Sequence, residues 1–365
     1  MMAALQMRFG LGRQSFVGGF ILAALVILIG LIVMAAAEKA QIRVANVFFV
    51  NLILVLGLQI TMGNSNVANL GHITFTGVGA YVAGILVAPL AIKATGIPNA
   101  PFGLNTFELH FIPAAMIGVV IGTVLAFLTG LVLTRQTGIA YSIATLALLV
   151  IVHTVFTNWV DLTRGPIAFY GIPFKVNTVS LMLIAAACAI VARLFRDSRW
   201  GLQLRASGED VLAAEASGVS VKRLRLVAWT LSGFVLSLGG VMYAYLVGTI
   251  SPKSFYFDAV FLTLAMLILG GMRSASGAVV GAVIVTLGTE LMRWLEGAPV
   301  IFGAKMPQIF GLTGFFLGVV IVLFMALRPD GLVGDEELDE MAKRLWRQRK
   351  ARAAAGEDTG PETSS

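Results

Sequence analysis

The chain of 365 residues is 58% hydrophobic and 12% charged, and its mean hydropathy of +0.90 lies far above that of a water-soluble domain. Several apolar runs reach the roughly 20 residues that a helix needs to cross a bilayer, whereas the period-two alternation of a β-barrel is absent; the fold class is therefore all-α and polytopic. The net charge of +7 comes from Arg and Lys at segment boundaries and does not argue for nucleic acid, and the single Cys188, set in an apolar run, leaves no disulfide or cysteine metal site to propose.

The first predicted segment runs from Phe16 to Ala37, behind Arg8 and Arg13 with no acidic residue before it. A cleaved signal peptide is the alternative, since Ala35-Ala36-Ala37 satisfies a small-residue cleavage rule; the length of the apolar run favours a retained membrane helix. Further segments are expected at 44–62, 73–92, 111–134, 138–160, 178–195, 225–248, 257–272, 278–296 and 308–327, which makes about ten crossings. With the N-terminus (1–15) in the cytoplasm, Arg135, the cluster Arg193, Arg196, Arg199, Arg205, Lys222, Arg223 and Arg225, then Arg273 and Arg328, all fall on the cytoplasmic side. Such a Lys/Arg bias fits both termini inside and a permease domain spanning 16–328. Between the second and third segments, Asn64 to His72 (NSNVANLGH) is uncharged and Asn-rich. It reads as a helix broken near 63–72, and such backbone survives at membrane depth only when buried in protein or lining a cavity.

The longest polar interruption is Arg199 to Arg225, inside a predicted cytoplasmic loop at 197–225. Ser207 stands at an N-cap position with Asp210 three residues on, Glu209 suits the positive end of the helix dipole, and Gly218 stands where a C′ glycine closes a helix. Arg205 and Glu209, four apart, are spaced to pair. A helix of about ten residues is unstable alone in water, so something must hold it. After Arg328 the chain turns polar. Asp335 to Arg352 has Leu338, Met341 and Leu345 at helical spacing with basic residues behind them, and the last residues are rich in Gly, Pro, Thr and Ser. The tail, 329–365, reads as solvated, resting on anionic membrane lipid and partly disordered.

No catalytic constellation is visible: His72, His110 and His153 are far apart, and no glycine-rich stretch ends in Gly-Lys-Ser/Thr. The chain is read as no enzyme, with no cofactor and no metal; any ATP must be bound by another polypeptide. Glu290, with Arg293 three residues on, reads as a local ion pair, and His153 as a packing histidine. Asn64, Asn66, Asn69, His72, Thr74 and Thr76 offer amide, imidazole and hydroxyl groups without net charge. They suit a passage for a polar or zwitterionic solute, and equally the satisfaction of broken-helix backbone.

Several stretches in order resemble one family: NLGHITFTGVGAY (Asn69–Tyr81), GEDVLAAEASGVSVKRLRLVAW (Gly208–Trp229), ISPKSF (Ile250–Phe255), LGGMRSASGAVVGA (Leu269–Ala282) and RPDGL (Arg328–Leu332). They are similar to the LivM-type permeases, the inner-membrane subunits of ABC importers for branched-chain amino acids, and the resemblance spans about 45 to 332. It implies two ATPase subunits, a second, LivH-type permease and a periplasmic solute-binding protein. It also implies that the polar loop is the coupling segment, with Glu209, Asp210, Ala214, Glu215 and Gly218 docking on an ATPase. Asn69, where the family usually has Ser, and TRGPIAFYGIP (Thr163–Pro173), in place of a Thr-Gly-Gly-type external loop, depart from the pattern. Importers of urea, amides and aromatic acids share the scaffold, so these remain alternative substrates, with an ion-coupled carrier as the more distant alternative.

Overall fold

The computed structural model describes residues 13–36, 39–297, 300–301, 304–305, 310–328, 331–334 and 337–341, together with 343, 344, 346 and 348. Every predicted segment holds an apolar helix. These are α1 (Arg13–Ala36), α2 (Lys39–Leu58, extended by a π-turn over Gln59–Gly63), α3 (Ile73–Val87) with α4 (Leu90–Gly96), α5 (Phe111–Leu133), α6 (Gly138–Asn158) and α7 (Thr178–Asp197). The short helices α8 (Arg199–Glu209) and α9 (Val211–Ala216) occupy the polar loop, followed by α10 (Val221–Val247), α11 (Phe257–Gly270), α12 (Ala275–Glu296) and α13 (Leu312–Leu327). Among the described residues, eight helices are long and apolar enough to cross a membrane, or nine if α3 and α4, bent by 117°, form one span. α13, at 16 residues, is the shorter tenth.

The 27-residue α10 is the centre of the bundle and packs on α2, α3 and α5. It approaches α3 backbone to backbone: a Cβ on Gly240 would overlap the carbonyl oxygen of Thr76, and one on Gly79 that of Ser237. Small residues permit such crossings in lipid, where close van der Waals packing replaces the hydrophobic drive. A second group, α11 to α13, is built the same way, with Gly281 against the carbonyl of Met266. α1 packs along α7, and α7 packs on α2, which also touches α11 and α12 and so bridges the two groups.

Hydrogen bonds assign the connections to two ends. At one end, Arg205 donates to Asn64 Oδ1 (3.4 Å), Arg225 to the Gln136 carbonyl (3.1 Å) and Arg196 to the Arg273 carbonyl (2.7 Å). The Leu332 and Val333 amides donate to the Leu269 and Gly270 carbonyls at the same end. At the other, Tyr245 donates to the Phe111 carbonyl (3.0 Å), Lys93 to that of Phe107 (2.7 Å), and the strand β1 (Phe169–Tyr170) pairs antiparallel with β2 (Thr249–Ile250). A small hairpin, β3 (Val300–Ile301) with β4 (Ala304–Lys305), follows α12.

The polar tail departs from the solvated reading. Glu337 is 1% exposed and accepts from the Ala275 and Ser276 amides (2.8 and 2.9 Å) and the Ser276 hydroxyl (2.6 Å), capping α12. It also pairs with Arg193 (2.9 Å) and Arg196 (3.1 Å), while Arg193 further meets Asp197, Asp339 and Glu340. The two arginines that read as boundary markers in the sequence thus hold the tail to the bundle. Residues 1–12, Asp335, Leu345, the basic positions 347, 349 and 350, and the chain from 351 onward lie outside the described residues.

Candidate functional site

A cleft of about 820 Å³ lies between the two groups of helices. One face of α2 (Arg43, Val44, Val47, Asn51 and Leu54) forms a wall, facing Thr286, Thr289, Glu290 and Arg293 at intervals of three, four and seven along α12. α11 contributes Asp258, Leu262 and Thr263, α3 contributes Ile73 and Thr76, and α13 contributes Thr313 and Leu317. The charged residues gather toward the end that carries Asp258, where α2 begins and α12 finishes. Leu54, about 16 Å along α2 from Arg43 at 1.5 Å per residue, lies deep in the cleft. Glu290 and Arg293 form the expected local ion pair at 2.7 Å.

The stretch 64–72 seals the deep end. Asn64, Asn69 and His72 are fully buried, and their side chains serve mostly backbone: Asn64 Nδ2 donates to the Gln59 and Ile60 carbonyls, and Asn69 Oδ1 accepts from the Gly71 amide. α6 clamps the stretch through Ser142 to the Ala68 carbonyl and Thr145 to the Leu70 amide. Gly71 is required, because a Cβ there would collide with the Thr145 carbonyl oxygen. His72 Nε2 lies 2.6 Å from Thr263 Oγ1, a residue of the cleft wall, and Nδ1 lies 3.0 Å from the Asn69 carbonyl. A carbonyl only accepts, so Nδ1 carries a proton and donates it to Asn69.

Of the six residues expected on a passage, Thr76 lines the cleft and His72 touches its wall through Thr263. Asn66, exposed with φ +54, turns the chain, and Thr74 is buried without a hydrogen-bond partner among the described residues. His153 stacks on Tyr256 at 3.8 Å, while its Nδ1 has no hydrogen-bond partner among the described residues, so the ring packs without the hydrogen bond expected of it. Arg164 lies over the Tyr170 ring at 4.6 Å, bracing the divergent loop. The sequence reading overlooked Arg43, Asp258, Thr286 and Thr289; the polar stripe at helical spacing on α12 was the available signal.

At the opposite end the polar loop folds as two helices. Ser207 is not the cap: it lies inside α8, buried, donating to the Leu204 carbonyl (2.7 Å). Ser198 caps α8 through the Gly201 amide. Asp210 caps α9, accepting from the Leu212 and Ala213 amides (2.9 and 3.0 Å). Gly218, at φ +82, closes α9 as expected, with the Val219 amide reaching back to the Ala214 carbonyl. Glu209 pairs with Arg273 (2.6 Å) instead of Arg205. Burial, with the like charge of Arg196 adding to it, brings the Arg205 guanidinium down to about 10, so it stays charged at neutral pH. Of the five residues expected to meet an ATPase, Ala214 faces inward, and Glu209, Asp210, Glu215 and Gly218 are exposed.

A multi-pass helical bundle with a mostly apolar cleft entering from one end and a seal at the other has the architecture of a membrane permease. Residues 41–325 match the family described as branched-chain amino acid transport system / permease component, and the chain belongs to it. It is 26% identical over 346 residues to the high-affinity branched-chain amino acid transport permease LivM of Escherichia coli, covering 84% of this chain and 74% of that one. It is 24% identical to the probable permease LivH of Methanocaldococcus jannaschii, over 77% of this chain and 88% of the relative. The fructose import permease FrcC of Rhizobium meliloti is 26% identical over 52% of this chain and 59% of its own. No solved structure matches.

Proposed function

We propose that the chain is the permease subunit of an ABC importer for branched-chain or related amino acids. It sits in the bacterial inner membrane with both termini and the Asp210 end in the cytoplasm. Two ATPase subunits, a second permease of the LivH type and a periplasmic solute-binding protein complete the machine, and hydrolysis takes place on the ATPases. The observation that carries this reading is α9. It is six residues long, capped at both ends, and holds Leu212 78% exposed to solvent beside Glu215. Too short to persist by itself, a helix offering one apolar side chain within a charged rim is suited to a groove on another subunit.

Purification of the native complex in mild detergent tests the reading directly. The expected eluate contains an ATPase and a second permease. A chain that purifies alone and whose uptake collapses with the ion gradient while ATP remains would replace the importer by an ion-coupled carrier. Glu215→Lys reverses a charge at the contact and is expected to reduce co-purified ATPase roughly tenfold, with insertion unchanged. Full recovery of the ATPase would move the contact elsewhere on the loop.

A further inference from the structure

The π-turn that ends α2 is served by side chains at almost every step. Ser232 on α10 donates to the Gly57 carbonyl (2.6 Å), Thr61 to that of Leu58 (3.1 Å), and Asn64 to those of Gln59 and Ile60 (3.3 and 3.0 Å). Four successive carbonyls thus have a side-chain donor, as irregular backbone at membrane depth requires. The side chain of Gln59, the first residue of the turn, is the exception. It is fully buried, and neither Oε1 nor Nε2 has a hydrogen-bond partner among the described residues. It lines neither the cleft nor the small hollow beside Thr61, Tyr141 and Arg225. An amide buried in this way destabilises the state that holds it, because it gives up hydration and receives no bond in return.

The same turn lies where the two helix groups meet. Gly63, its last residue, runs against the turn between α11 and α12: a Cβ there would overlap the Met272 carbonyl oxygen and come within 3.2 Å of Gln59 Cγ and Nε2. On its other sides the π-turn packs on α10 and α7. A π-turn holds one residue more than an α-turn, so drawing it tight rotates the chain that follows, beginning with the seal at 64–72, by about 100°. We infer that Gln59 is a gating residue of the permease. The π-turn is the joint on which the seal moves, and the unpaired amide keeps the sealed state only narrowly favoured. When Met272 withdraws from Gly63, the amide gains partners and its cost disappears. Gln59 biases the seal and does not bind solute, so the inference rests on the chain being a permease and not on which solute it carries.

The test is Gln59→Met, which keeps an unbranched side chain of the same length and removes both polar ends. Three properties of the full native complex are compared with and without it: thermal unfolding in detergent, maleimide labelling of Ser65→Cys in a Cys188→Ala background, and ATP-driven uptake of L-leucine in proteoliposomes with the binding protein. Ser65 is buried within the seal, so the reagent reaches it only when the seal parts. Gln59→Met is expected to unfold a few degrees higher, and to slow both labelling and uptake by about tenfold, because the sealed state no longer carries an unpaired amide. Gln59→Leu is expected to repeat the pattern, since polarity and not shape sets it. A lower unfolding temperature with labelling as fast or faster overturns the inference, because the amide is then already satisfied in the sealed state. Raised stability with unchanged labelling also overturns it. A parent complex that takes up no leucine with ATP overturns the importer reading instead, and the unfolding and labelling comparisons still decide the gate.

Discussion

Glu337 illustrates how much one side chain organises. Its carboxylate takes two amides and a hydroxyl at the start of α12 while facing Arg193 and Arg196, all of them buried. A charge in such a place is tolerated only because each lone pair has a partner, and the arginines are tolerated for the same reason. Glu337→Ala is expected to lower stability by about 3 kcal/mol, since it takes a buried partner from two buried cations and uncaps a helix. Glu337→Gln, with its shape kept and its charge removed, should fall between this and wild type. Thermal unfolding of the three proteins in detergent checks the order, and a Glu337→Ala protein as stable as wild type would mean that the tail carries no structural weight. In sequence the residue was invisible, because a run of Asp and Glu after a membrane segment reads as a solvated tail. Only the arrival of Arg193 and Arg196 from α7 makes it a core residue.

Among the elements, the helices were legible and their fine structure was not. The ten segments emerged from apolar run length because a bilayer imposes that length on any crossing helix. The cap of α9 was misplaced by three residues, at Ser207 instead of Asp210. Both are cap-forming side chains, and the choice between them is made by burial of Leu204 and Ser207 in α8, a tertiary fact. The cleft was missed for a related reason: its walls come from six helices, and each supplies only a few polar positions. What the sequence did carry was the glycine content of the crossings. Gly240→Val on α10 would place its branched side chain against the Thr76 carbonyl. With no space to relax, a loss of about 3 kcal/mol or more and a lower yield of folded protein are expected. A variant of wild-type stability would show that α3 and α10 separate readily.

The whole molecule is asymmetric along its axis. Toward Asp258 the two helix groups stand apart around the cleft. Toward Asp210 they are tied by His72 to Thr263, by Glu209 to Arg273 and by the Glu337 cluster. If the Asp210 end lies in the cytoplasm, as proposed, this is an outward-open arrangement. Cysteine labelling tests it cleanly, because Cys188 is the single native cysteine and is buried. In a Cys188→Ala background, a membrane-impermeant maleimide added to intact spheroplasts is expected to modify Thr289→Cys and spare Leu212→Cys. Inside-out vesicles should reverse the result for Leu212→Cys. Modification of Leu212→Cys from the periplasm would invert the topology.

α10 is an unbroken rod of 27 residues, about 40 Å from end to end. Its first turn follows α9 after residues 217–220, and its last residue leads through Gly248 into β2, which is paired with β1 of the divergent loop. Because Gly240 and Gly79 bring it to bare backbone contact with α3, no yielding side chains lie at that crossing to absorb a push. A displacement at α9 is therefore expected to reach the β1–β2 ladder as movement of the ladder itself. A single continuous helix thus joins the two ends of the bundle.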